Sequence, residues 1–336
     1  MLSSGLAARL AAVAALSLCF SVAAGAQEKQ EKKTLKLQDT TSYTQQPIVF
    51  GVEKGFFTEE GLKVEFVGTQ DPVTAVSRGD LTFAFGPTSV YLRATALGAP
   101  IKIVSAAFRS KGPYFLIARK GIKSFADLKG KTMGVGPDTS GNLASVARYL
   151  LKAEGIDPNR DVTLFAAGAT EKAYGALETS QVDATIIHQP FAALGEIEGV
   201  STTLARAWDY LPTYHTGVLI AGDEVIAKDP ELLRRGLRAY FKSYTYAKAH
   251  YDEYLPWLQA RLKINPEAVK RAIYQEDDVW DANPAVDPKA IHDTQQMEID
   301  VGNQKEFYDA DKYIDVRLIP QEYVKPFVYP APKALR

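Results

Sequence analysis

The feature that most constrains the fold is a repeated alternation of short apolar runs and helical patterns. A similar sequence motif occurs in both halves: Glu60-Gly61-Leu62 corresponds to Glu154-Gly155-Ile156. The apolar run 81–85 is followed by Gly86-Pro87, and the run 182–187 by His188-Gln189-Pro190. Buried strands that alternate with helices are typical of βαβ units. The sequence therefore predicts two similar α/β lobes, each with a mainly parallel sheet.

The apolar runs Tyr114 to Ala118 and Val218 to Ala221 flank the second half of this pattern. We interpret them as two crossover strands that form a hinge between the lobes. On this interpretation residues 34–118 and 218–336 form lobe 1, which is discontinuous in sequence, and residues 119–217 form lobe 2. The C-terminal region is rich in helix formers and is expected to pack back on lobe 1.

Residues 1–26 have the pattern of a cleaved secretory signal peptide. Arg9 precedes an almost wholly apolar run, Leu10 to Ala24, and the segment ends in Ala24-Gly25-Ala26, small residues that a signal peptidase accepts. The apolar run is too short for a membrane span. An alternative is lipid anchoring at Cys19, but Leu18 stands where lipoprotein peptidases need a small residue. A periplasmic location is therefore expected.

The composition excludes several classes of function. Cys19 is the only cysteine, so cleavage leaves a chain without disulfides or thiol chemistry. The formal net charge of −1 becomes −2 on loss of Arg9, which argues against nucleic acid as a partner. The chain contains no Gly-x-Ser-x-Gly elbow, no Walker loop and no His-Glu-x-x-His. We predict a non-catalytic protein without a cofactor or a metal site.

Several ordered motifs resemble the sulfonate, nitrate, taurine and thiamine-precursor binding proteins of ABC importers. The motifs are Val52-Glu53-Lys54-Gly55-Phe56-Phe57-x-x-Glu60-Gly61-Leu62-x-Val64, Gly98-Ala99-Pro100-Ile101-Lys102-Ile103-Val104, Lys123-Ser124-Phe125-Ala126-Asp127-Leu128-Lys129-Gly130-Lys131, Gln181-Val182-Asp183-Ala184 and Gln189-Pro190-Phe191. The resemblance implies a type II periplasmic binding protein fold, with two lobes that close on a ligand. It also implies a permease and an ATPase subunit as partners, and a monomer is the default for such a closing mechanism.

Ligands of open α/β sheets bind beyond the carboxyl ends of the strands. Loops follow predicted strands at residues 40–45, 86–89, 137–142 and 188–191, and the first three contain several hydroxyl residues. Free N–H groups at a helix start and Ser or Thr hydroxyls suit an oxyanion, although the same residues are also good helix caps. The predicted ligand-binding residues are Ser42, Tyr43, Gln45, Thr88, Ser89, Arg109, Asp138, Thr139, Ser140, Gly141, Asn142, His188, Gln189 and Tyr214.

Two charged residues of this set point to different ligands. The guanidinium of Arg109 matches a carboxylate, sulfonate or phosphate. Asp138 disfavours a simple anion and favours a ligand that also carries hydrogen-bond donors. Tyr43 and Tyr214 are preferred as aromatic walls over Phe108, Tyr114, Phe191 and Trp280, the other aromatic candidates.

Three hypotheses about function remain open at this point. The first is import of an alkanesulfonate or taurine-like anion. The second is binding of a thiamine-precursor pyrimidine or an aromatic carboxylate such as phthalate. The third is a sensor that presents its closed form to a membrane receptor. A pyrimidine synthase of similar fold depends on a cysteine-rich motif, which the chain lacks after cleavage at Ala26.

Overall fold

The structure, a computed structural model, describes residues 32–39, 42–69, 71–108, 111–214 and 217–329. The predicted signal peptide, Cys19 and Arg109 lie outside these ranges. Within them, no helix has both the length and the apolar character needed to cross a membrane.

The strands form three sheets; a bridge joins two of them into the sheet layer of the first lobe, and the third is the sheet layer of the second lobe. Their bounds are Lys33–Gln38 (β1), Leu62–Val67 (β2), Ala84–Gly86 (β3), Ile101–Ala106 (β4), Phe115–Arg119 (β5), Thr132–Gly134 (β6), Thr163–Phe165 (β7), Ala184–Ile187 (β8), Ser201–Arg206 (β9) and Val218–Gly222 (β10). The first lobe contains the parallel pair β1-β2 and the group β3-β10-β4, which a bridge between Leu37 and Phe83 connects. The second lobe contains a single sheet in the order β7-β6-β8-β5-β9.

Helices cover both sheet layers and form most of the C-terminal third. Their bounds are Gln46–Glu53 (α1), Phe56–Glu59 (α2), Pro72–Ser77 (α3), Thr88–Ala96 (α4), Asn142–Ala153 (α5), Thr170–Glu178 (α6), Phe191–Glu198 (α7), Ala207–Tyr210 (α8), Asp223–Lys228 (α9), Pro230–Ala249 (α10), Tyr251–Arg261 (α11), Pro266–Gln275 (α12) and Pro288–Asp300 (α13). The prediction of two α/β lobes is confirmed. The sheets are mixed, because β5 and β10 run antiparallel to their neighbours.

The repeated Glu-Gly motif has one structural cause in both lobes. Gly61 has φ +69° and leads directly into β2, and Gly155 has φ +73° just after α5. Glycine adopts this left-handed conformation without steric cost, and helices commonly end at such a residue. The motif therefore marks the point where a helix turns back toward its sheet.

Strand pairing favours a boundary of lobe 1 that differs from the predicted one. All pairing partners of β5 lie in the sheet of the second lobe, whereas the prediction assigned residues up to 118 to the first lobe. The run 114–118 is thus a strand of the second lobe, and β10 pairs with β3 and β4 of the first. We propose a division just before Tyr114 and at residue 217, because Tyr114 belongs to the core of the second lobe.

The C-terminal region packs on both lobes rather than on the first alone. Helix α10 carries the predicted apolar stripe, and Leu237 and Tyr240 are buried in the first core together with Leu35. Helix α12 packs against α7, and α13 packs against both α4 and α5. The C-terminal helices therefore connect the two lobes in addition to the crossovers.

Candidate functional site

A cavity of about 360 Å³ lies between the lobes, at the carboxyl ends of their strands. Strand β3 leads to it from the first lobe, and β6 and β8 lead to it from the second. Because β6 and β8 are parallel neighbours, the loops that follow them lie side by side. The cavity is lined by Ser42, Thr44, Gln45, Phe85, Pro87, Val90, Pro113, Tyr114, Val135, Pro137, Asp138, Gly141, Asn142, Leu143, His188 and Gly217. We call it the interlobe cleft.

Asp138 provides a carboxylate at the start of α5. The backbone N–H and the hydroxyl of Ser140 both donate to its Oδ1, each at 2.9 Å. Partial burial raises the pKa of Asp138, but the hydrogen bonds from Ser140 and Gly141 and the charge of Arg93 outweigh burial and hold this pKa below its ordinary value. A Cβ at position 141 would lie 3.0 Å from this carboxylate, so glycine leaves room for it.

The ionised Asp138 changes what the helix start can bind. A helix N-terminus carries a partial positive charge that attracts anions. Here a carboxylate of the protein already occupies that position. Among the described lining residues there is no Lys or Arg to restore a positive potential.

A chain of hydrogen bonds leads from the protein interior to the cleft. The Tyr214 hydroxyl donates to Oδ1 of Asn142, and Nδ2 of Asn142 donates to the Tyr114 hydroxyl. Tyr214 is 1% exposed. Burial raises its pKa well above the ordinary value, so the phenol stays protonated and keeps its role as donor. Tyr214 thus orients the Asn142 amide, which in turn holds Tyr114 at the wall.

Tyr114 and His188 form an aromatic corner in the wall. Their ring centroids are 4.8 Å apart with the planes tilted by 49°. Nδ1 of His188 lies 3.2 Å from the carbonyl oxygen of Pro113. Phe85 lines the cleft on the first-lobe side, so a flat ligand would meet aromatic surface from both lobes.

The predicted site residues divide into three groups. Those that line the cleft are Ser42, Gln45, Asp138, Gly141, Asn142 and His188. Those that do not line it are Tyr43, Thr88, Ser89, Thr139, Ser140, Gln189 and Tyr214. Arg109 lies outside the described residues, and its role as an anion clamp stays a prediction.

The structure reassigns several of the predicted contacts to supporting roles. Tyr43 and Tyr214 are buried in the lobe cores rather than exposed as walls. Gln189 is also buried: its Nε2 donates to Gln275 and its Oε1 accepts from the Ala193 N–H, so its amide is already engaged. Ser140 does not line the cleft, and its backbone N–H and hydroxyl donate to Asp138 instead.

Thr88 and Ser89 occupy the buried first turn of α4, directly after the lining residue Pro87. They do not act as the helix cap, because Pro87 holds that position.

Sequence reasoning missed part of the lining. Thr44, Pro87 and Pro137 fall within the predicted loops but were not selected, and Phe85, Val90, Val135, Leu143 and Gly217 have no polar signal to identify them. Tyr114 was considered but not preferred, since its place at the start of β5 gives no indication that it faces the cleft.

A larger cavity, of about 500 Å³, is lined by Ala107, directly after β4, by Pro212 and Thr213, and by residues within 277–287 and 325–329. Two of its acidic residues are engaged: Asp281 pairs with Lys325, and Asp287 accepts from the Tyr329 hydroxyl. The described residues contain no cluster of His, Cys, Asp and Glu arranged to hold a metal ion. The interlobe cleft is the better candidate for ligand binding.

Known proteins with similar sequences and folds identify the family of this chain. The sequence profile of the family described as NMT1/THI5 like matches residues 43–254. The protein YtlA of Bacillus subtilis (strain 168), named as a binding protein, is 27% identical over 252 residues, 71% of this chain and 73% of YtlA. The riboflavin-binding protein RibY of Chloroflexus aurantiacus is 26% identical and matches 76% of this chain and 74% of its own. The formylaminopyrimidine-binding protein of Halalkalibacterium halodurans is 27% identical and matches 61% of this chain and 62% of its own.

Solved structures share the fold at low sequence identity. The periplasmic aliphatic sulphonate binding protein SsuA of Escherichia coli superposes with a TM-score of 0.68 at 14% identity, over 89% of this chain and 97% of that one. The desulfurization enzyme DSZB superposes with a TM-score of 0.61 at 17% identity, over 85% of this chain and 97% of its own. The fold alone therefore does not separate binding from catalysis. The profile match over more than half of the sequence does establish the family: the chain belongs to the NMT1/THI5-like family and has the solute-binding protein fold of ABC import systems.

Proposed function

We propose that this protein is the periplasmic solute-binding component of an ABC importer, and that its cargo is a small planar nitrogen heterocycle with N–H donors, of the aminopyrimidine class. The observation that carries the proposal is Asp138, a carboxylate held ionised at the start of α5 inside the cleft. A carboxylate accepts hydrogen bonds and donates none. It therefore selects a ligand that presents N–H groups.

The same geometry disfavours a sulfonate as cargo. Two like charges at hydrogen-bond distance repel, and the repulsion is stronger in a partly buried site than in water. The described lining contains no Lys or Arg to offset it. A sulfonate would have to rely on Arg109, outside the described residues, so sulfonate specificity remains the second candidate.

The size and surface of the cleft agree with a flat ligand. Its volume of about 360 Å³ is in the range of small-molecule sites, and pockets of this kind combine aromatic walls with a few polar groups. Tyr114, His188 and Phe85 supply the walls, while Gln45 adds an amide group. The name of the formylaminopyrimidine-binding relative supports the same ligand class.

We propose that the protein acts as a monomer without catalysis, secreted by a leader at residues 1–26. It would hand its cargo to a permease and its ATPase. The sensor hypothesis uses the same cleft, and an adjacent gene pair for a permease and an ATPase would favour transport.

Native mass spectrometry with a ligand panel tests the proposal directly. The protein is purified from the periplasm of an expression host, partly unfolded to release carried-over ligand, refolded, and offered formylaminopyrimidine, riboflavin, phthalate, taurine and methanesulfonate one at a time. We expect a one-to-one complex with the aminopyrimidine. A complex with taurine or methanesulfonate that Arg109→Ala abolishes would overturn the ligand class in favour of the anion.

A further inference from the structure

Helix α13 reaches from the core of one lobe into the core of the other. Ile291, in its first turn, packs with Leu92 and Ile103 of the first lobe. Met297, near its end, packs with Ala147 and Leu150 of the second. The next residue, Glu298, lies where the two cores meet and is 1% exposed.

The Glu298 carboxylate contacts a helix of each lobe. The Ser145 hydroxyl, on α5 of the second lobe, donates to Oε2 of Glu298 at 3.0 Å. Nη2 of Arg93, on α4 of the first lobe, lies 3.6 Å from the same oxygen. Burial lowers the pKa of Arg148, also on α5, and the charge of Glu298 counteracts this effect. Asn303 completes the group by donating to the Ser145 hydroxyl at 2.7 Å.

These contacts lie one helical turn away from the cleft. On α4, Arg93 lies three residues after the cleft residue Val90. On α5, Ser145 lies three residues after the cleft residue Asn142. Residues three apart lie on neighbouring positions of one helix face. Helices α4 and α5, whose first turns line the cleft, are therefore linked through the Glu298 carboxylate one helical turn further along.

Not all polar atoms of this group have a hydrogen-bond partner in the described arrangement of the lobes. Among the described residues, the buried atoms Nε of Arg93, Nη1 of Arg148 and Oε1 of Glu298 have no hydrogen-bond partner. Buried charges without hydrogen bonds are costly. A closer approach of α4 and α5 that brought the guanidinium groups onto the Glu298 carboxylate would satisfy these atoms.

We propose that Arg93, Ser145, Arg148 and Glu298 form an interlobe clasp, which we call the Glu298 clasp, and that it sets the balance between open and closed lobes. The clasp lies outside the cleft and acts before any ligand arrives. Binding strength then depends on the clasp, because the apparent affinity scales with the fraction of the protein in the binding-competent state. The inference goes beyond the proposed function and does not depend on which ligand the cleft accepts.

The test measures the distance between the lobes in the absence of ligand. Spin labels are attached to Leu97→Cys on the first lobe and Glu178→Cys on the second, both at exposed positions. A Cys19→Ser background removes the only native thiol. The variant Glu298→Gln is compared with Asp300→Asn, which makes the same chemical change at an exposed position of the same helix.

We expect Glu298→Gln to shift the distance distribution to longer values and Asp300→Asn to leave it unchanged. Ser145→Ala provides a milder variant in case Glu298→Gln impairs folding, and it should shift the distribution in the same direction. For any ligand that binds, both clasp variants should weaken affinity by about fivefold or more, the usual lower bound for coupled sites. An unchanged distribution in both clasp variants, or an equal shift in Asp300→Asn, would overturn the proposal.

Discussion

Asp138 lies in the loop before α5, where Ser140 donates to its carboxylate, and it lines the cleft between the lobes. This position normally attracts anions from solution, and here the protein supplies the anion itself. A ligand must therefore donate hydrogen bonds to this negatively charged residue rather than carry a negative charge itself. Three predictions follow from this residue and its neighbours.

Replacing Asp138 by Asn should weaken binding of an aminopyrimidine by about 1.5–3 kcal/mol, the usual strength of a hydrogen bond to a charged group. Isothermal titration calorimetry measures the change. Asp80→Asn, at an exposed position, is the matched control and should bind like the unmodified protein. Equal affinity of both variants would exclude Asp138 from the ligand contacts.

The pH dependence of binding should follow the ionisation of Asp138. Because its pKa is held below the ordinary value, the carboxylate remains charged at neutral and mildly acidic pH. The contribution of Asp138 to the affinity for a neutral N–H donor, measured as the difference in affinity between the unmodified protein and Asp138→Asn, should therefore be constant from about pH 8 to pH 5 and fall only below about pH 4, the ordinary carboxylate range. A bound sulfonate would behave in the opposite way, because protonation of Asp138 would remove the repulsion and strengthen binding.

Tyr214→Phe should weaken ligand binding by about 1 kcal/mol through the loss of one hydrogen bond. The change frees the Asn142 amide to rotate, and Tyr114 then loses its anchor. Calorimetry at fixed temperature measures the effect. Tyr149→Phe removes a hydroxyl from the half-buried outer face of α5 and should have no such effect. A Tyr214→Phe protein with unchanged affinity would show that the chain of hydrogen bonds does not reach the ligand.

At the scale of elements, α10 supports the first lobe from the C-terminal part of the chain. Asp229 caps its start by accepting from the Leu232 N–H, and its apolar stripe packs into the core around Leu35. Leu237 within this stripe is 0% exposed. The lobe is therefore completed by residues far from it in sequence.

Leu237→Ala should lower the free energy of unfolding by about 2–5 kcal/mol, because the lost methyl groups leave a cavity. Urea unfolding measures the change. Leu97→Ala, at a position 82% exposed, makes the same chemical change and should alter stability by no more than about 0.5 kcal/mol. A loss of similar size in both variants would contradict the assignment of α10 to the core.

Structural features that depend on the local sequence pattern could be predicted. Features that depend on pairing between residues far apart in the chain could not. Gly61 and Gly155 predicted the helix-to-strand turns, because positive φ is a local requirement. The pairing of β5 with β8 and β9 could not be predicted in this way, because it connects residues far apart in the chain.

The same distinction applies to the candidate site. Loop position after a strand predicted Asp138 and His188 as lining residues. Tyr43 and Tyr214 lie in the lobe cores and the Gln189 amide pairs with Gln275, since long-range packing decides whether a loop aromatic is buried and Gln275 comes from a distant helix.

At the scale of the whole molecule, the interlobe cleft lies between two lobes that the crossovers and the C-terminal helices connect, and we propose that it opens and closes. Ligand binding favours the closed form only through contacts that the open form lacks. Asp138 and Tyr114 lie on the second lobe, and Gln45 and Phe85 lie on the first. A ligand that touches both groups therefore couples recognition to closure, which is the state that a permease would receive.

The most direct test of the account is a pair of calorimetric titrations of the ligand-free protein, one with formylaminopyrimidine and one with methanesulfonate. The account predicts saturable one-to-one binding of the pyrimidine that Asp138→Asn weakens, and no measurable binding of the sulfonate. Saturable binding of methanesulfonate, unchanged or strengthened in Asp138→Asn and without any response to the pyrimidine, would contradict it.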